Sequence, residues 1–156
     1  METVLVETSY EIERGKPMPS INHSIVQANL IGLFFTLYKK YRVASELNII
    51  FGGVKKVPDV VLYDKMEFRP GQDEINATKP PLCAIEILSP KQHLSELLIK
   101  SHLYFENGVK SYWLVVPDLQ TIYIFKNIND YEVFHQKERL IDKELGIELE
   151  LVEIFS

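Results

Sequence analysis

The first residue of this sequence that asks for a chemical explanation is an acid inside an apolar run. Glu86 lies in Ala84-Ile85-Glu86-Ile87-Leu88, a stretch of strand character in which a buried charge without a partner is costly. A solvent-facing side or a structural ion pair would meet that cost, and so would a role as metal ligand or general base. A second acid, Asp59, stands near the front of Val57-Pro58-Asp59-Val60-Val61-Leu62. It is either a turn residue bonding its own backbone or the partner of Glu86. Two carboxylates converging from neighbouring strands form a hard-oxygen site suited to Mg²⁺, which takes one or two protein carboxylates and keeps several waters. Lys55 and Lys56 would lie at the mouth of that site and meet a phosphate backbone there. Lys100 is the third component. It sits on the flank of a Leu94, Leu97, Leu98, Phe105 stripe, in line with Glu96 and Tyr104, so its stem can follow apolar surface and carry the ammonium to the sheet edge. The alternative is a solvated ion pair with Glu96.

These residues need a scaffold, and hydrophobic periodicity supplies one. Residues 21–42 have helical spacing, with Ile21, Ile25, Val26, Leu30, Leu33, Phe34, Leu37 and Tyr41 on a wide stripe behind a Pro19-Ser20 start. Residues 46–50 and 57–63 are short and β-branched with Gly52-Gly53 between them, which predicts a hairpin. Residues 64–81 are polar and carry three prolines, so they are expected as a long loop of the functional or mobile kind. Residues 82–88 predict a central strand ended by Ser89-Pro90, residues 93–107 a helix stopped by Gly108, and residues 111–116 another buried strand. Strand, helix, strand in that order predicts a parallel crossover. Residues 120–126 and 131–135 alternate as a hairpin, and 147–152 reads as a final edge strand. The expected fold class is α/β, a mixed β-sheet flanked by helices.

Composition narrows the function classes. The chain has 156 residues and a net charge of -5, from 17 Lys+Arg and 22 Asp+Glu, which disfavours indiscriminate binding to a polyanion but leaves room for a local site. One cysteine, Cys83, excludes an internal disulfide and zinc sites of the paired-cysteine type. The length suits a single domain, residues 1–156, with a full core. No apolar stretch approaches the ~20 residues of a membrane span, and the first ten residues, METVLVETSY, lack a secretory pattern. A cytoplasmic protein without a membrane partner is expected. Edge strands near the C-terminus offer a route to a homodimer.

The order of motifs carries a resemblance. Pro58-Asp59, then Glu86-Ile87-Leu88-Ser89-Pro90, then Lys100-Ser101-His102-Leu103-Tyr104, then residues 108–117, GVKSYWLVVP, resemble the Uma-two family of the restriction-endonuclease-like PD-(D/E)XK nuclease superfamily. Tyr10-Glu11-Ile12-Glu13-Arg14-Gly15 resembles that family's N-terminal strand and turn, and residues 149–155 its closing segment. The resemblance implies a restriction-endonuclease-like mixed sheet and an endonuclease that hydrolyses phosphodiester bonds of nucleic acid, with DNA as the expected partner and Mg²⁺ or Mn²⁺ as cofactor. Carried onto this chain, Asp59 and Glu86 would be metal ligands and Lys100 the catalytic lysine, with His23, Lys56 and Tyr104 in support. The superfamily's usual lysine position, two residues after the acid, is Leu88 here. Lys100 matches the displaced position on the following helix, with Lys91 a rival.

Two departures stand out: the family commonly has acids where Val116 and Lys16 stand, which bears on whatever network holds Lys100 or the metal in register. Two other readings stay open. A fold hosts functions without guaranteeing them, so a catalytically silent binding module is the alternative; it would show Lys100 pointing to solvent and the two acids too far apart to share an ion. A phosphoesterase acting on a small nucleotide would show a closed pocket.

Overall fold

The computed structural model describes residues 9–156, so the first eight residues of the leading segment considered above lie outside it. In chain order the elements are α1 (Ser9–Arg14), α2 (Ile21–Leu37), β1 (Arg42–Ser45), β2 (Asn48–Phe51), β3 (Val54–Lys56), β4 (Val60–Tyr63), β5 (Asn76–Ala77), β6 (Cys83–Ile87), α3 (Leu94–Glu106), β7 (Ser111–Val116), a 3₁₀ turn (Pro117–Leu119), β8 (Thr121–Asn127), β9 (Asp130–His135), β10 (Arg139–Asp142), β11 (Ile147–Glu150) and α4 (Leu151–Ile154). The main sheet has six strands in the order β1-β4-β6-β7-β8-β9. β6 and β7, joined through α3, run parallel, and the other neighbours are antiparallel. This is the mixed sheet flanked by helices that the sequence predicts.

Strand alternation divides the core into two layers. Val60, Leu62, Cys83, Ile85, Ile87, Trp113 and Val115 face one side, where Val26, Leu30 and Phe34 of α2 pack with Leu149 of β11 and Ile154 of α4. Val61, Tyr63, Ala84, Tyr112 and Leu114 face the other side, against Leu97 and Tyr104 of α3 and Ile49 and Phe51 of β2. By the same alternation, Asp59 and Glu86 belong to the second face.

Several boundaries differ from expectation, each for a physical reason. Helix α2 stops at Leu37, with the Tyr38 N–H on the Phe34 carbonyl at 3.0 Å, because Arg42 already pairs with Tyr63 in the sheet. The hairpin around Gly52-Gly53 closes onto Val54–Lys56, in a small sheet ordered β3-β2-β5. The strand expected beside it, now β4, instead joins β1 and β6, because its four fully buried residues can be covered only inside the main sheet. The loop 64–81 contains a short strand, β5, parallel to β2. The N-terminal segment expected as a strand and turn is the helix α1. Gly15, at φ 73, ends it, with Gly15 N–H and Lys16 N–H both donating to the Glu11 carbonyl at 2.9 and 3.3 Å. The closing segment splits into β11, paired with the unforeseen β10, and α4. No described helix is long and apolar enough to cross a membrane.

Candidate hydrolytic site

Asp59 and Glu86 meet because of register. Val60 pairs with Ile85 across β4 and β6, so one further step along the antiparallel ladder sets position 59 opposite position 86. The same register lets the Ile87 N–H donate to Asp59 Oδ2 at 2.8 Å. The Asp59 carbonyl accepts from the Glu46 N–H at 3.1 Å and from Gln27 Nε2 at 3.0 Å, so its backbone is pinned by β1's turn and by α2.

Helix α3 adds two groups one turn apart, on a face that includes the buried Leu97, Ser101 and Tyr104. Tyr104 Oη donates to Glu86 Oε1 at 2.7 Å, and Lys100 Nζ lies 3.6 Å from Glu86 Oε2. The apolar stripe read from the sequence is rotated relative to the real one: Leu94 and Leu98 are exposed, and the buried face turns toward Lys100. Lys100 therefore points inward and does not ion-pair with solvent-facing Glu96 among the described residues.

Helix α2 contributes His23. Ser20 caps the helix by accepting the His23 N–H at 3.1 Å, and the spacing of His23, Val26, Leu30 and Phe34 buries that face against the sheet. The imidazole is buried with Nε2 3.2 Å from Asp59 Oδ2.

Two groups that sequence reasoning missed complete the arrangement. Lys16 Nζ donates to Asp59 Oδ1 at 2.7 Å and lies 3.7 Å from Glu86 Oε2, so one ammonium touches both acids. Arg14 pairs with Glu46 and lies 3.6 Å from Asp59 Oδ1. Side-chain exposure is 1% for each acid, 4% for Lys16 and 14% for Lys100. Three cations (Arg14, Lys16, Lys100) thus face three carboxylates (Glu46, Asp59, Glu86), and the cluster is neutral when His23 is neutral. The sequence marked Lys16 only as a departure from the family pattern; what brings it inward is Gly15, which ends α1 at φ 73 and reverses the chain.

Lys56 is not brought in. It stands on β3 opposite Ile49, and no hydrogen bond or ion pair links it to either acid among the described residues. Lys91 is exposed and lines a groove with Glu11, Gly15, Lys16 and Glu96, of which Lys16 also touches the two acids. The sites of the two absent family acids differ in kind: Lys16 points into the cluster, whereas Val116 packs into the second core layer.

Burial pushes the Asp59 carboxyl up, but the bonds from His23 and the nearby Lys16 ammonium outweigh it and hold Asp59 well below the usual carboxylate range. Burial, reinforced by the charge of Glu86, drives Tyr104 well above the usual phenol value. Tyr104 is therefore a fixed donor.

The donor chemistry of the pair fits a divalent cation. Asp59 and Glu86 offer hard oxygens, and Glu86 Oε2 is buried with no hydrogen-bond partner. The remaining oxygens are held by Lys16, Ile87, His23 and Tyr104. No cluster of three or more His, Cys, Asp or Glu side chains suited to a metal occurs among the described residues, so the protein would supply two carboxylates and water the rest.

Comparison with known proteins bears on the family and the fold. The Uma2 family model, described as "Putative restriction endonuclease", matches residues 9–152. A solved structure described as a putative nuclease belonging to DUF820, from Anabaena variabilis ATCC 29413, is similar with a TM-score of 0.78 and 24% sequence identity, covering 89% of this chain and 83% of that one. Curated proteins give no match.

Proposed function

Because the chain belongs to the Uma2 family and has the restriction-endonuclease-like fold, we propose that it is a divalent-metal-dependent endonuclease, a single domain hydrolysing phosphodiester bonds in DNA. The observation that carries this reading is the convergence of Asp59, Glu86 and Lys100 at one buried point: the acids face each other across β4 and β6, and Lys100 lies 3.6 Å from Glu86.

Asp59 and Glu86 would hold Mg²⁺ or Mn²⁺, Glu86 Oε2 being the carboxylate oxygen that no hydrogen bond already holds. When bound, that ion supplies Lewis-acid polarisation of the phosphate and a water of lowered pKa. Tyr104 fixes the Glu86 carboxylate through Oε1 and leaves Oε2 for the ion. His23 and the Ile87 N–H fix Asp59 in the same way. Lys100, the most exposed of the inward cations, is placed to stabilise negative charge developing on the phosphate oxygens. Substrate would approach along the groove beside Lys16, where Lys91 adds positive charge.

The test is cleavage of labelled single- and double-stranded DNA and RNA with Mg²⁺ or Mn²⁺, with an EDTA control and the Asp59→Asn, Glu86→Gln and Lys100→Met variants. Metal-dependent cleavage lost in all three variants is the expected result. Cleavage that survives EDTA or the two acid substitutions would overturn the reading. The alternative, a silent binding module, has one observation in its favour, the ammonium of Lys16 neutralising the acids; it predicts nucleic-acid binding without cleavage.

A further inference from the structure

Lys16 is the one residue of the cluster whose chemistry works against the site as just described. An ion held by Asp59 and Glu86 must take carboxylate oxygens from the space between them, and the Lys16 ammonium is already there, 2.7 Å from Asp59 Oδ1 and 3.7 Å from Glu86 Oε2. Lys100 touches Glu86 alone and Arg14 approaches Asp59 alone; Lys16 bridges both. We propose that Lys16 is a tethered counter-cation that closes the metal position, so that its ammonium and a divalent ion occupy the space between Asp59 and Glu86 in alternation. The inference rests on the reading of that pair as a metal site.

Three features of the chain support the exchange. The ammonium is a compact charge on a flexible four-carbon stem, so it can leave the acids without moving the backbone. Gly15 and Pro17 flank it, and both line the groove that leads out of the site. Glu96 is exposed and lines the same groove, so a displaced ammonium has a carboxylate to move toward. In the closed state Lys16 does for the folded protein what an ion would otherwise do: it places one positive charge between two buried carboxylates. The site is thereby folded and neutral without metal. Its affinity for metal is lowered by whatever free energy the Lys16 contacts contribute, and its stability gains little from the ion.

The experiment is Mn²⁺ binding, followed by the electron paramagnetic resonance of the free ion, in the parent chain and in Lys16→Gln, Lys16→Arg and Asp59→Asn variants, without nucleic acid. The Gln variant is expected to bind Mn²⁺ at least tenfold more tightly than the parent, the Arg variant to stay close to the parent, and the Asn variant to lose binding. Equal affinity in the parent and the Gln variant would overturn the closing role and leave the metal site standing. Absence of binding in both, with both folded, would overturn the closing role and the metal reading together. If the Gln variant unfolds without metal, its thermal midpoint must rise steeply with added Mn²⁺ while the parent's barely moves; a midpoint that ignores Mn²⁺ would overturn the proposal.

Discussion

Asp59 should leave a distinct mark on the acid stability of the protein. Its carboxyl is buried and accepts from Lys16 at 2.7 Å, from the Ile87 N–H at 2.8 Å, and from His23 at 3.2 Å. Burial alone would raise its pKa, but these partners hold it well below the ordinary value of 3.8 that the unfolded chain shows. A depressed carboxyl binds its proton more weakly in the folded state, so its stabilisation is complete above the unfolded value and is lost as pH falls through and below it. With the folded group still ionised at pH 2.5, linkage from an unfolded value of 3.8 gives a loss of about 1.8 kcal/mol between pH 5 and pH 2.5 from this residue alone. The perturbation is Asp59→Asn, which keeps the shape and removes the titration. The assay is urea unfolding of parent and variant at half-unit pH steps from 2.5 to 7. The variant starts lower, because a buried pair has lost one partner at a cost of about 3–5 kcal/mol. The gap between the two proteins then narrows by about 1.8 kcal/mol on acidification. Parallel curves below pH 5 would refute the account of Asp59 as an ionised, multiply bonded buried carboxylate.

Other expectations follow from single contacts. Tyr104→Phe keeps the ring against Phe51 and Tyr112, at centroid distances of 4.9 and 5.5 Å, but removes the donor to Glu86; a loss of about 2 kcal/mol in denaturant unfolding is expected, as for a hydrogen bond to a charged group. Asp142, buried at the end of β10, accepts from Trp113 Nε1 at 2.7 Å, Ser111 Oγ at 2.5 Å and the Leu145 N–H at 3.2 Å. Asp142→Ala takes the acceptor from all three donors and should cost about 3 kcal/mol while leaving Mn²⁺ affinity unchanged, which melting and binding curves on one preparation check. Gly15→Ala forces a side chain into a left-handed turn at φ 73. It should cost about 1–2 kcal/mol and alter Mn²⁺ affinity through Lys16, whereas the same change at Gly71, with φ 76 in the exposed 64–81 loop, should cost stability without touching binding.

How much of this was legible in the sequence depends on the range of the interaction that decides each feature. Residues 111–116, an apolar run after Ser111, predict an internal strand, and β7 has those bounds. The helix before it was equally clear, since Gly108 stops it and no proline interrupts residues 94–106. The hairpin was misread because Gly52-Gly53 signals a turn but not its partner: β3 is only three residues long, and the longer β-branched run 60–63 looked the better match. Membership of β4 in the main sheet is decided by burial on both faces, a tertiary property. At the site, Glu86 and Asp59 betrayed themselves as charges in apolar surroundings, and Lys100 by its place beside a buried helix face. Lys16 left no such trace. It lies 43 positions from Asp59 in the chain, in a polar segment where a lysine is unremarkable, and it reaches the acids because the glycine before it turns the chain back. Lys56 shows the opposite error, since nearness in sequence to Asp59 placed it at a site from which β3 carries it away.

The central claim, that Asp59, Glu86 and Lys100 form a hydrolytic site, is tested most directly by the single-turnover rate of phosphodiester cleavage in labelled duplex DNA by the purified chain beside its Glu86→Gln and Lys100→Met variants. Saturating Mn²⁺ and the thermal midpoint of each protein accompany the measurement. The account predicts metal-dependent cleavage by the parent, loss of it in Glu86→Gln, and a fall of about a hundredfold or more in Lys100→Met, the scale of removing one charge-stabilising donor. Cleavage at the parent's rate by either folded variant would contradict it.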